Sequence, residues 1–372
     1  MRFLLSTQDS ALKIHVMRRR AHLASLLLAC SCLSAGDAEK TFPLWNGEER
    51  IADYAQRVHL PATQRLDLGG GVSLDLVLVP AGKFVMGTPS VHAPEIPAKY
   101  AAIALGASAA LALMFAASLL IRSRLSWRFP FSLRGLAMLY GALLLGIQWH
   151  AIRADWREFA HLKEQFELAP DWERPAHVVV ISTPFYMSPC EITQRQYEAV
   201  MGTNPSQVKH PLHPVDSVTW NDAAAFCEKA QALCGRRVQL PTEAQWEYAC
   251  RANTDTLFNT GETISPDQAN IDGNMTADVG RYTPNKFGLH DMHGNVWEWC
   301  SDFYSDDYYK ESPARDPQGP PKSPYGNART LRGGSCRGDP DFYRSASRRW
   351  VSADDSDEDV GFRVILRIQN EK

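Results

Sequence analysis

Gly288-Leu-His-Asp-Met-His-Gly-Asn-Val-Trp-Glu-Trp299 is the stretch on which the fold is read. Two carboxylates, Asp291 and Glu298, flank a glycine bend at Gly294 and lie beside Trp297 and Trp299. Such a run has two readings. The acids cap a turn beneath the tryptophans, or they hold a hard cation whose shell is completed by carbonyls freed in an irregular loop. His290 and His293 have HxxH spacing, but two loop nitrogens fall short of the three protein ligands of a catalytic zinc, so hydrogen bonding is the expected role. His210 and His213, each followed by proline, read as turn residues.

Working outward, the sequence from Asn253 to Lys372 is turn-rich with short strands. Upstream lie three helices with legible starts. Thr193 and Gln196 form a capping box for a helix stopping at Gly202, and Thr242 with Gln245 opens another through Tyr248 and Cys250. Between them, Asn221 to Cys234 places Ala223, Phe226, Ala230 and Leu233 on one face and ends at Gly235. Val72 to Met86 and His177 to Met187 read as strands broken by turns. The pattern is α+β, without a βα rhythm or a dinucleotide loop.

A chain of 372 residues, 45% hydrophobic and 22% charged, can bury a large core and is not a disordered one. Its formal net charge of -3 gives no electrostatic reason to expect a nucleic-acid partner. The eight cysteines contain no CxxC pair in the main domain, which removes zinc fingers but leaves disulfides open.

Segments 1–36 and 98–153 have a different character. From Met17, read as the start, Arg18-Arg-Arg20 precedes the apolar run Leu23–Leu33 and small residues to Gly36, which reads as a signal region within 1–36. Tyr100 to Ile121, about 22 residues without a charge, is long enough for a hydrocarbon core of ~30 Å, and Leu133 to Ile152 is a second apolar run. Arg122, Arg124, Arg128 and Arg134 lie between the runs without an acid, which predicts a cytoplasmic turn. The expectation is an inserted two-helix transmembrane hairpin in contact with membrane lipid, followed by a connecting helix over 154–173. That places the chain in a bacterial inner membrane with the main domain on the periplasmic side.

Seven signatures occur in order: Leu78-Val-Pro-Ala-Gly-Lys-Phe84, His213-Pro-Val215, Thr219-Trp-Asn-Asp-Ala223, Leu240-Pro-Thr-Glu-Ala-Gln-Trp-Glu-Tyr-Ala-Cys250, the opening stretch, Leu331-Arg-Gly-Gly-Ser335 and Gly361-Phe-Arg363. Together they resemble the formylglycine-generating-enzyme, or sulfatase-modifying-factor, family over roughly 72–88 and 174–368. The resemblance implies a loop-rich, distorted C-type-lectin-like fold, with its first strands in 40–88 and its main part in 174–368. It also implies calcium at Asp291, Gly294, Val296 and Glu298, with part of a second calcium site at Asn270 and Ile271.

The family's oxidases carry two cysteines about five residues apart after this Gly-Gly-Ser, and these bind copper(I). Here Cys336 alone follows Ser335, and no cysteine lies beyond it. One thiolate cannot supply a two-thiolate copper site, so copper is not expected. Cys336 and Ser335 remain the only catalytic candidates there. The resulting expectation is a non-catalytic binding or accessory protein with structural calcium and an unidentified protein or glycan partner. The alternative is an oxidase that converts a sulfatase cysteine to formylglycine.

Overall fold

The computed structural model describes residues 41–88, 169–338 and 340–368. These belong, apart from Thr41, to one compact unit, Phe42–Gln369. The chain enters through α1 (Ile51–Arg57) and runs through β1 (Thr63–Asp67), β2 (Ser73–Val79) and β3 (Gly82–Met86). It continues through β4 (His177–Ile181), β5 (Phe185–Met187), α2 (Gln194–Met201), α3 (Trp220–Cys234), β6 (Val238–Gln239) and α4 (Glu243–Arg251). After a long irregular stretch come β7 (Trp297–Phe303), α5 (Tyr308–Glu311), β8 (Ala328–Arg332), β9 (Arg349–Ser352), β10 (Val360–Gly361) and β11 (Ile365–Arg367).

Both expected capping boxes are formed, at Thr193 and Thr242, and a third that sequence reading did not identify is present at Thr219 with Asp222. α2 and α3 end at Gly202 and Gly235 in the left-handed conformation, which satisfies the last carbonyls without a Cβ clash. The inward face of α3 is Ala223, Phe226, Cys227 and Ala230, whereas Leu233, expected on it, is 54% exposed. Helix α1 carries no side-chain cap at Arg50, so the N-terminal signal that revealed α2 and α4 is missing there.

Three sheets share the core. A five-stranded sheet runs β1-β2-β5-β11-β6, a four-stranded one β10-β7-β8-β9, and β3 pairs with β4. Met86 pairs with His177, so the ends of the long intervening segment lie side by side and the domain closes across it. Closing a loop of that length costs little more than closing a shorter one. One apolar cluster joins Leu76, Leu78, Tyr197, Phe226, Trp299 and Phe362, and a second gathers around Trp246 and Tyr248.

The fold class expected from sequence needs a correction. No helix among the described residues is long and apolar enough to cross a membrane, so the fold these residues form is a loop-rich α+β domain in which no inserted transmembrane hairpin is seen. The apolar runs 100–121 and 133–152 lie outside the described residues, as do the signal region 1–36 and the expected connecting helix up to residue 168. Within its last residues only a short 3-10 turn, Asp171–Glu173, is present. The physical reason is general. An apolar run reports a preference for leaving water, and by itself does not distinguish lipid from protein.

The core also holds ions. Arg363 is fully buried and clasps both oxygens of Glu298, Nε to Oε2 at 2.6 Å and Nη2 to Oε1 at 2.7 Å. Arg332 pairs with Glu247, and Arg348 with Glu243. Removing one member of such a pair strands the other charge. Arg363→Ala is expected to lower the unfolding free energy by about 3–5 kcal/mol, read as a shift of the urea midpoint. A loss under about 1 kcal/mol would show that Glu298 does not depend on this guanidinium.

Candidate functional site

A cleft of about 610 Å³ opens beside the four-stranded sheet, between the start of β7, β9 and the loop that follows β8. Aromatic rings form its walls. Tyr325 and Trp350 stack at 4.9 Å with an interplanar angle of 2°, and Trp297 meets Phe342 edge-on at 5.9 Å. Trp172, Tyr325, Phe342 and Trp350 are among the few large apolar side chains left exposed in the described residues. The polar groups are largely paired. Arg337 bonds Glu358, Arg349 reaches Asp357 at 3.1 Å, and Ser335 donates to Asp359 at 2.6 Å. Tyr304 and Tyr325 both donate to Asp306.

Gly333-Gly334 lets the loop after β8 approach the core. At Gly334, φ is +75° and a Cβ would meet Tyr343 Cδ1 at 2.5 Å, so any other residue would push the loop off the cleft wall. Beyond it Ser335, Arg337 and Gly338 line the cleft, and Cys336 is absent from the lining. Cys336 is 2% exposed, its amide bonded to the Asn295 carbonyl and its own carbonyl to the Asn274 amide. Burial pushes its thiol up to about 11, so the neutral thiol prevails near pH 7. Cys336 is a free, buried, small side chain. Cys190, Cys227, Cys234, Cys250 and Cys300 are also free.

The residues expected to bind calcium are close together but unequally available. Glu298 has both oxygens committed to Arg363, and Oε2 also accepts from Trp246 Nε1 at 2.7 Å. Asp291, at φ +54°, accepts from the Gly280 amide at 2.6 Å. Gly294 sits in the left-handed region against Asn270, whose carbonyl accepts from the Asn295 amide. The Ile271 carbonyl accepts from the Tyr343 hydroxyl at 2.6 Å, so the partial second site is already engaged in internal bonds.

Sequence reading missed Glu191. It is 1% exposed, one oxygen accepts from Asn295 Nδ2 at 3.0 Å, and the other is buried without a partner. Burial, with the nearby Asp291 carboxylate, pushes the Glu191 carboxyl well above the usual range. Burial also raises Asp291, against the pull of the Gly280 amide and Arg363. Glu191, Asp291 and Glu298 thus surround one guanidinium. Carboxylate oxygen is the ligand type a hard divalent cation takes, but these three acids do not converge on one point as a metal-binding group does. Asp291 and Glu191 keep carboxylate oxygens not bonded to Arg363, whereas both oxygens of Glu298 are.

His290 and His293 do not form a zinc pair. His290 Nδ1 meets the Tyr282 carbonyl at 2.7 Å, and His293 Nδ1 meets that of Tyr343 at 2.6 Å. His293 Nε2 accepts from the Asn259 amide at 3.1 Å, which uses its second nitrogen. Its role is to bridge three loops.

With this geometry in place, the comparisons are specific. The model of the sulfatase-modifying factor enzyme 1-like domain matches residues 157–368. A formylglycine-generating enzyme of Streptomyces coelicolor is 42% identical over 173 residues, 41% of this chain and 52% of that protein. A Chlamydia pneumoniae protein named serine/threonine-protein kinase pkn1 is 40% identical over 157 residues, 42% of this chain and 24% of that one. The chain thus spans about half, or less, of the length of these relatives. Treponema denticola variable protein 1 superposes with a TM-score of 0.56 at 21% identity, over 83% of this chain and 100% of that one, which shows the fold alone.

Burial holds His293 down to about 4, against an ordinary value of 6.5. The unfolded chain therefore binds a proton that the folded one refuses, and this group's contribution to stability falls as pH drops from 6.5 toward 4. His293 alone contributes a loss of about 2 kcal/mol between pH 7 and pH 5, opposed by carboxyls such as Asp302 that burial raises, so it is read as the difference between parent and His293→Gln in denaturant titrations. An equal pH dependence in parent and variant would assign the loss elsewhere.

Proposed function

Because the chain belongs to the sulfatase-modifying factor enzyme 1-like domain family, we propose that it works as a binding or accessory member of it, using the aromatic cleft without thiol chemistry. The observation that carries this reading is the placement of Cys336. Its neighbours Ser335, Arg337 and Gly338 line the cleft while it is buried away from the lining, and no second cysteine follows in the sequence. Copper(I) chemistry of the two-thiolate kind requires two soft ligands at one place, and the residues present do not fit it. No step through copper follows for this chain. Ser335 is likewise poor as a nucleophile, since its hydroxyl is held by Asp359 and no histidine lines the cleft.

What the cleft offers is recognition. Stacked, half-exposed rings with polar tips receive flat apolar faces, whether of a sugar or of a protein side chain. Paired acids and bases at the rim add directional contacts with little net charge. Calcium belongs to the same proposal as a structural element. It would be held by Asp291 and Glu191 oxygens in place of their protons and tie the 270–280 and 291–298 loops together, with Gly294 and Val296 carbonyls as the further oxygens the family resemblance implies.

An oxidase that makes formylglycine is the second reading, favoured by the name of the Streptomyces coelicolor relative. Incubating the protein with copper, oxygen and a sulfatase-type cysteine peptide separates the two. Unchanged peptide mass is expected, and the mass loss of cysteine becoming an aldehyde would overturn the binding reading. For calcium, free ion at about 100-fold its Kd is expected to add about 2.7 kcal/mol, several degrees in Tm, and Asp291→Asn to abolish the gain. A Tm indifferent to excess chelator would remove calcium from the proposal.

A further inference from the structure

Away from the cleft and from the Asp291 cluster, His210, His213 and Asp278 converge. Each offers one ligand atom, and all three atoms lie within 4.8 Å of one another. We propose that they form a binding site for one divalent ion of the zinc class.

The geometry is built in. His210 Nδ1 is 3.0 Å from Asp278 Oδ1, and His213 Nε2 is 3.7 Å from the same oxygen. His213 Nδ1 is held at 2.9 Å by the Thr276 hydroxyl, so its other nitrogen is aimed at Asp278. That is the outer contact by which proteins orient a ligating imidazole. The two rings lie 4.4 Å apart because His213 closes a turn onto the His210 carbonyl, and the Gln194 side chain pins the His210 amide. Asp278 comes from a distant segment, brought alongside by the bond from the Val279 amide to the Leu212 carbonyl at 3.0 Å.

Two imidazole nitrogens and one carboxylate oxygen suit zinc and its neighbours, whereas calcium requires six or more oxygens. His210 and Asp278 are about half exposed, which admits the ion and leaves its fourth position to water or to a partner's side chain. Bound there, the ion would cross-link the 204–214 and 276–280 loops. Gly280, two residues beyond Asp278, donates to Asp291, so the tie would also brace one side of the carboxylate cluster.

The test is a calorimetric titration of the full chain with zinc, in parent, His210→Ala and Asp278→Asn, with cobalt spectra of the parent. The expectation is one zinc per chain, weakened about tenfold or more by each substitution. Cobalt should give visible bands of nitrogen and oxygen ligation without a near-ultraviolet thiolate band. The exposed positions of His210 and Asp278 should leave the metal-free Tm unchanged, and the cobalt spectrum decides even if a variant fails to fold. Absence of zinc binding, binding untouched by both substitutions, or a thiolate band from a cysteine would each overturn the site.

Discussion

A buried charge must be paired, and that constraint organises this protein. Arg332, Arg348 and Arg363 are fully enclosed, and each is matched to a buried glutamate: Glu247, Glu243 and Glu298. In a low-dielectric interior a lone guanidinium or carboxylate is too costly to retain, so these contacts form together or the interior does not close. Arg332 further satisfies the carbonyls of Ser345, Ala346 and Ser347. Arg363 does the same for Ser188, Pro189 and His290. Side chains thereby take over backbone carbonyls that a richer sheet would have satisfied.

That substitution explains how so irregular a fold holds a cleft in place. The strands are short, β6 and β10 having only two residues each. The sheet ladders alone fix little of the path between residues 252 and 296. The arginines supply the missing ties, and Gly333-Gly334 lets the loop after Arg332 press against Trp246 and Tyr343. From that anchored loop Ser335, Arg337 and Gly338 face the cleft while Cys336 faces inward. The direction of one sulfur, and with it the chemistry open to the site, follows from how tightly the preceding glycines pack.

The same ties redistribute the acids of the opening stretch. Glu298, which the resemblance assigns to calcium, is saturated by Arg363 and Trp246, and Glu191 brings the unpartnered oxygen instead. Relatives that share the fold at low identity need not share this arrangement, because it depends on individual side chains and not on the path of the chain.

The sequence by itself determined the local structure: two helices announced by their capping boxes and a third by its apolar face and terminal glycine, the strands around Leu78 and Val179, and family membership through seven ordered signatures. These were legible because caps and alternation act within a few residues. Several of those signatures contain the buried ion-pair partners, Glu243 and Glu247 in one, Glu298, Arg332 and Arg363 in others. Their pairing was not readable, since the partners lie tens of residues or more apart. Tertiary structure alone decided that Leu233 faces water, that Glu191 joins the acid cluster, that Cys336 leaves the cleft and that His213 meets Asp278. The apolar runs at 100–121 and 133–152 lie outside the described residues, and hydrophobic length alone states a solvent preference and not which medium satisfies it. Each of these outcomes depends on which groups are adjacent in space, and adjacency across a loop-rich chain is set by the packing of the whole.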